Sequence, residues 1–253
     1  MVTVFPLTIV LALLLVFMTG CLPLPSLDQE NVAEDMEHTD YLLAYYPFDD
    51  STKDSGKNGY HGVPIGAPSY DEDTPSGSGK ALKLNGFKGQ YVNVPYPFLN
   101  GLNEYSVSFW IKDFGMGMVF SAISSDFVRS DYPRLLVTDS QKFRFYTGYD
   151  NYDTTPSFAF DCTPIMASEW HHVVLVVYLY GADLIKELYV DGVLIDSAKA
   201  NRNWDEGITA KINIGGDKNG AYPVAMSAKF DNFRFYGCAL GRKDVEYLYQ
   251  NKK

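Results

Sequence analysis

The chain has 253 residues, with 21 basic against 31 acidic side chains and a formal net charge of −10. That balance excludes the basic face that nucleic acid or an anionic membrane surface requires, leaving neutral ligands and cations as the chemistries to expect. Nineteen tyrosines, sixteen phenylalanines and twenty-one glycines among short apolar runs favour many strands joined by tight turns, and one all-β sandwich is the simplest arrangement at this length.

No charged side chain precedes Asp28, and the run from Val2 to Met18 is almost wholly apolar and ends in "FMTGC". This reads as an export signal in which only the α-amino group supplies positive charge. An uncleaved membrane anchor is the alternative, since the run approaches the length that spans a bilayer; both place the remainder of the chain outside the cytoplasm. The "MTGC" stretch resembles the cleavage box of bacterial lipoproteins, with Thr19 and Gly20 before Cys21. The resemblance implies that residues 1–20 are removed and that Cys21 is lipidated, anchoring the protein to the bacterial membrane at the cell surface. Residues 21–40, with prolines followed by acids and amides and no apolar periodicity, read as an acidic flexible tether, and residues 41–250 as the domain.

Within the domain, "LLAYYPF", "KALKLNG" and "QYVNVPY" are the first short strands. In "EYSVSFWIK", Tyr105, Val107, Phe109 and Ile111 alternate with Ser106, Ser108, Trp110 and Lys112, the period of a half-buried strand. "RLLVTD" and "KFRFYTG" come after it. "HHVVLVVYLY" is apolar on both faces and is predicted to lie centrally between covered surfaces. Next comes "ELYVDGVLID", where Asp191-Gly192 between β-branched residues signals a tight hairpin. "INIGG" and "KFDNFRFY" complete the strands. Val245, Leu248 and Tyr249 at i, i+3 and i+4 predict a short terminal helix. With Cys21 lipidated, Cys162 and Cys238 remain as an even pair in an oxidising compartment and are expected to form a disulfide, two buried free thiols being the alternative.

Four stretches carry a family resemblance: "YLLAYYPFDDSTKDSGKNGYHG", "YSVSFWIK", "EWHHVVLVV" followed by "ELYVDGVLI", and "KFDNFRFYGCALGRKDVEYLYQ". In order and spacing they resemble laminin G-like, concanavalin A-like jelly-roll domains of bacterial surface proteins. The resemblance implies an antiparallel two-sheet jelly roll, often a calcium site, and frequently glycan binding. It pairs the first loop with an acid near the C-terminal end. By it, Asp49, Asp54, Asn58 and Asp231 are side-chain ligand candidates for Ca2+, and Gly59 and His61 possible carbonyl donors. The loop is not an EF-hand, because counting from Asp54 puts Gly56 and Ile65 where side-chain oxygens are required. An Asx-rich turn with Asp231 in a salt bridge would show the same residues. Two departures stand out: Cys238 replaces a polar residue, and Gly241 replaces a Ser or Thr cap, which predicts a weakly capped final helix.

Catalysis on such a fold would need paired carboxylates, or a Tyr/His/Arg set, on one sheet face. Asp71, Glu72 and Asp73 lie in a Pro/Gly/Ser-rich loop, and none of the strands carries alternating acids, so an enzyme is not expected. His171 and His172 are adjacent on a strand, point to opposite faces and cannot readily share one ion, while Trp170 is expected in the core. Aromatic residues on polar loops suit sugar rings. Tyr149 and Tyr152 with Asn151 and Asp153, and Trp204 beside Asn203, are the candidates for ligand contact. The leading expectation is a non-catalytic carbohydrate-binding or adhesive module. The alternatives are a hydrolase or lyase of the same fold, and a structural lipoprotein that binds another surface protein.

Overall fold

The computed structural model describes residues 38–86, 89–124, 133–138, 142–146, 158–159, 165–201, 210–216 and 226–252. The chain divides into two units, Met1–Glu34 and Asp35–Lys253, and all the described residues belong to the second. The lipidation candidate Cys21 and the ligand candidates Tyr149, Asn151, Tyr152, Asp153, Asn203 and Trp204 lie outside the described residues, as does Cys162.

The described strands form two antiparallel sheets. The eight-stranded sheet contains β1 (Leu42–Tyr46), β3 (Ser69–Asp71), β4 (Ala81–Asn85), β6 (Tyr105–Lys112), β11 (His171–Tyr180), β12 (Asp183–Val190), β13 (Val193–Asn201) and β15 (Ser227–Tyr236). Its order is β13-β12-β11-β6-β15-β4-β3, with β1 also paired to β15. The seven-stranded sheet has β2 (Val63–Ile65), β5 (Tyr91–Val94), β7 (Gly117–Ser124), β8 (Arg134–Val137), β9 (Phe143–Tyr146), β10 (Phe158–Ala159) and β14 (Ala210–Ile214), in the order β10-β9-β8-β7-β14-β5-β2. Between them lies one continuous core. Val107, Phe109, Val173, Leu175 and Phe235 from one sheet meet Val92, Phe120, Leu135, Phe145 and Ile212 from the other. Removing these apolar surfaces from water is the main force holding the layers together.

A second, smaller core covers the opposite face of the eight-stranded sheet. Helix α1 (Arg242–Gln250) presents Val245 and Leu248 to Val174, Val176, Tyr189 and Tyr236. This explains why β11 is apolar on both faces, as its sequence predicts. It also corrects the half-buried reading of β6, because Ser106, Ser108 and Trp110 are buried as fully as the inward residues. Ser106 Oγ donates to the Cys238 carbonyl at 2.9 Å and accepts from the Leu240 N–H at 3.0 Å, which fixes the approach to the helix.

Gly241, the N-cap, has no side chain to cap the helix. The carboxylate of Asp244 instead accepts the Gly241 N–H at 2.7 Å, half of a capping box. Asp191 and Gly192 join β12 to β13 with both residues in the left-handed region, φ 51° and 80°, as the predicted two-residue hairpin requires. Cys238 carries a free thiol, so the disulfide expected at this residue is not formed. Burial, and after it the nearby Asp244 and Glu104, pushes that thiol up to about 12.

Candidate functional site

The first candidate site arises from a break in the pairing of β15. Phe230 and the residues before it pair with β4, whereas Phe233 and the residues after it pair with β1 on the same edge. Asp231 and Asn232 fall at the junction. Asn232 has φ 50°, and Phe48 and Asp50 beyond the end of β1 have φ 63° and 53°; such left-handed non-glycine residues are uncommon and strained. The Asp49 carboxylate accepts the Lys80 N–H at 2.7 Å, joining the exit of β1 to the entry of β4. Gly79 has φ 78°, and a Cβ there would stand 2.2 Å from Asp49 Oδ1, so the approach requires glycine. Asp231 is 4% exposed. Burial first, and then the neighbouring Asp49 carboxylate, push its carboxyl up to about 8 against the pull of the Asn232 N–H and Arg234. A buried carboxyl beside a second carboxylate, among kinked main chain, is an arrangement that a hard cation stabilises.

The other predicted ligands are differently engaged. Asp54 Oδ1 accepts the N–H groups of Tyr45 at 2.8 Å and Gly56 at 2.7 Å, and Oδ2 accepts that of Tyr60 at 2.8 Å. His61 Nδ1 accepts the Asp54 N–H at 3.2 Å, and the Gly59 carbonyl accepts the His61 N–H at 2.8 Å. Asn58 Nδ2 donates to the Leu43 carbonyl at 2.9 Å. Asp54 thus staples the loop to β1. Among the described residues no three His, Cys, Asp or Glu side chains converge as a metal-ligand group, so Asp49, Asp54 and Asp231 do not form a three-acid centre. Asp49 and Asp231 are the pair brought together.

The adjacent histidines take different partners. His171 Nδ1 lies 2.7 Å from Asp191 Oδ2, which raises its pKa. His172 Nε2 lies 2.9 Å from Ser108 Oγ, and burial lowers its pKa to about 3. Trp170 is half-buried rather than in the core, its Nε1 donating to Asp73 Oδ1 at 3.0 Å. That contact belongs to an ion cluster. Lys229 Nζ is 2.8 Å from Asp73, 3.2 Å from Asp113 and 3.4 Å from Asp71, and Lys112 Nζ is 2.8 Å from Asp73. Burial acts to raise the Asp73 pKa, but hydrogen bonds from Lys112, Lys229 and Trp170 outweigh it and hold the group well below the usual carboxylate range.

The outer face of the seven-stranded sheet is chemically different. Ser121 on β7 pairs with Asn213 on β14 and with Arg134 on β8, and Asn213 pairs with Asn93 on β5. The flanking residues Val92, Val94, Ile212, Ile214, Leu135 and Val137 all enter the core, so the period of two turns this polar row outward. Asn93 Nδ2 donates to Asn213 Oδ1 at 2.7 Å. Asn213 is 5% and Ser121 2% exposed, and the Ser121 hydroxyl has no hydrogen-bond partner among the described residues. The strands of this sheet contain no Asp or Glu. The row is not legible in "QYVNVPY" and "INIGG", because Asn93 and Asn213 become neighbours only through strand order.

The sequence matches the profile of the concanavalin A-like lectin/glucanase superfamily over residues 85–246, well over half of its length. The chain belongs to that superfamily. No curated protein matches it significantly in sequence. Among solved structures, it is similar to domain 4 of AbnA, a GH43 extracellular arabinanase from Geobacillus stearothermophilus, in complex with arabinotriose. The TM-score is 0.64 with 21% identity, over 83% of this chain and 98% of that one. The binding domain of Paraclostridial Mosquitocidal Protein 1 gives 0.63 and 16%, over 83% of this chain and 52% of that one. Botulinum neurotoxin type C, whose cell entry depends on interaction with two ganglioside molecules, gives 0.65 and 14%, over 85% and 52%. The chain therefore spans about half of those toxin chains, and at these identities the likeness is one of superfamily fold.

Proposed function

We propose that this superfamily domain is a non-catalytic carbohydrate-binding module held at a bacterial cell surface, with calcium as a structural element. The observation that carries the reading is the outer face of the seven-stranded sheet. The half-buried Asn93 amide and Arg134 side chain stand there at the two ends of a row whose middle, Asn213 and Ser121, is buried, while its strands hold no carboxylate. Glycoside hydrolysis ordinarily uses two carboxylates across the scissile bond, whereas recognition of sugar hydroxyls needs fixed donors and acceptors. The arabinanase domain, similar over nearly all of its length and solved with arabinotriose, supports the same class of ligand.

Calcium would be held by Asp49 and Asp231 with main-chain carbonyls of the junction, while Asp54 shapes the neighbouring loop. When bound, it supplies the positive charge that keeps the buried Asp231 carboxylate ionised beside Asp49. Surface attachment rests on the apolar run before Cys21, and Cys21→Ser should abolish membrane fractionation. A glycan array probed with and without calcium, with the bound oligosaccharides recovered and sized, tests the function. Retention of intact glycans is expected. No binding across the array would overturn the reading, and shortened products would replace it with an enzyme.

A further inference from the structure

Two tyrosines far apart in sequence form an aromatic surface at the rim of the sandwich. Tyr60 lies between the opening loop and β2; Tyr96 lies two residues beyond β5. Their ring centroids are 4.9 Å apart with planes inclined by 32°. Beneath them, Phe98 stacks on Tyr60 at 5.2 Å and 9°, and meets the core residue Phe235 edge-on at 5.2 Å. The outermost ring, Tyr96, is 36% exposed.

The surface is held in place before any ligand arrives. The Tyr60 N–H donates to Asp54 Oδ2 at 2.8 Å, and its carbonyl accepts the Tyr46 hydroxyl at 2.6 Å, so both main-chain groups of Tyr60 are fixed. Tyr96 stands between Pro95 and Pro97; the first ring locks its own φ, and the second holds Tyr96 in extended backbone. Rings restrained in this way lose little conformational freedom on binding.

We propose that Tyr96 and Tyr60 form a saccharide-stacking subsite for one neutral sugar ring of the bound glycan, an assignment that rests on the carbohydrate-binding function above. Sugar C–H faces stack on aromatic π surfaces. Two rings are small beside the apolar patches of roughly a few hundred Å2 that mark protein interfaces. With a formal net charge of −10, the protein's field disfavours an acidic sugar.

The test is calorimetric titration with a panel of neutral oligosaccharides including arabinotriose, using wild type, Tyr96→Ala, Tyr96→Phe and Tyr96→Trp. Tyr96→Ala should weaken binding roughly tenfold or more with an unchanged Tm, while Tyr96→Phe keeps the wild-type affinity. Tyr96→Trp gives a readout independent of any loss of stability: its emission should change on titration and saturate with the calorimetric Kd. Equal affinity in wild type and Tyr96→Ala, or an emission that ignores bound sugar, overturns the subsite while leaving the carbohydrate reading standing. Binding confined to acidic glycans also overturns the subsite alone. A wild type that binds no glycan of either kind overturns the function and the subsite together.

Discussion

The outer faces of the two sheets share strand geometry but differ in what meets them. On the eight-stranded sheet, Trp110, His172, Val174 and Val176 are buried, with the valines packed against the elements under α1 and Tyr249 stacked on Trp110 at 5.8 Å. Charges there are matched within the chain. Glu187 accepts the hydroxyls of Tyr178 at 3.0 Å and Tyr189 at 2.8 Å, and Lys229 joins three aspartates. On the seven-stranded sheet the row Asn93–Asn213–Ser121–Arg134 has no acid on its strands, and a buried hydroxyl lacks a partner among the described residues. The contrast is one of pairing: on the first face the polar groups are matched within the chain, and on the second the buried Ser121 hydroxyl meets no partner among the described residues.

The strongest way to break this comparison is to open the first face. Leu248 is 3% exposed, and Leu248→Ala should cost about 3 kcal/mol, lowering Tm by roughly 10 °C without changing glycan affinity. Affinity lost at constant Tm would mean that the helix side carries ligand.

Next is the junction at Asp231. Its folded carboxyl titrates at about 8 against an ordinary 3.8. Without calcium, the stabilising contribution of the protonated group is present below pH 3.8 and lost as pH rises to 8. Metal-free protein should therefore melt at lower temperature as pH rises through that window. Calcium at a hundredfold excess over its Kd should restore about 2.7 kcal/mol, and Asp231→Asn should remove both dependences. Identical melting with calcium and with chelator, in protein assayed as metal-free at the outset, would sink the calcium assignment.

Legibility from the sequence depended on the range of the interactions involved. The period of β6, the Asp191-Gly192 hairpin and the terminal helix were legible because neighbouring residues specify them. Burial of Ser106 was not, since its partner Cys238 is supplied from the far end of the chain. Asp54 resembled a ligand because a carboxylate that accepts main-chain N–H groups and one that binds a cation occupy the same kind of Asx-rich loop. Asp231 was legible only through family resemblance, since nothing local announces the break between β4 and β1. Tyr60 and Tyr96 went unnoticed although a tyrosine between two prolines is a local signal; their contact depends on how β2 and β5 pair.

Smaller effects sharpen the contrast. Lys229→Met leaves Asp71, Asp73 and Asp113 without their shared cation. It should cost about 2 kcal/mol, below the value for a fully buried pair because the Asp113 side chain is 49% exposed. The loss should shrink in high salt and leave glycan affinity intact, and a fall in affinity at constant Tm would bring this face into the binding site.

The smallest expected change in stability is also the most discriminating. Ser121 is 2% exposed and its hydroxyl meets no acceptor or donor among the described residues, so Ser121→Ala removes a polar group without breaking a hydrogen bond there. Stability should stay level or rise by up to about 1 kcal/mol. Glycan affinity should stay level too, because a side chain 2% exposed offers a bound sugar no contact. On the eight-stranded face the equivalent change, Ser106→Ala, should be costly, since Ser106 Oγ serves both Cys238 and Leu240. It should lower Tm and leave affinity alone. Thermal melts and titrations of the two alanine variants, run side by side, test the contrast in pairing: parallel responses would show that the two faces do not differ in the way proposed.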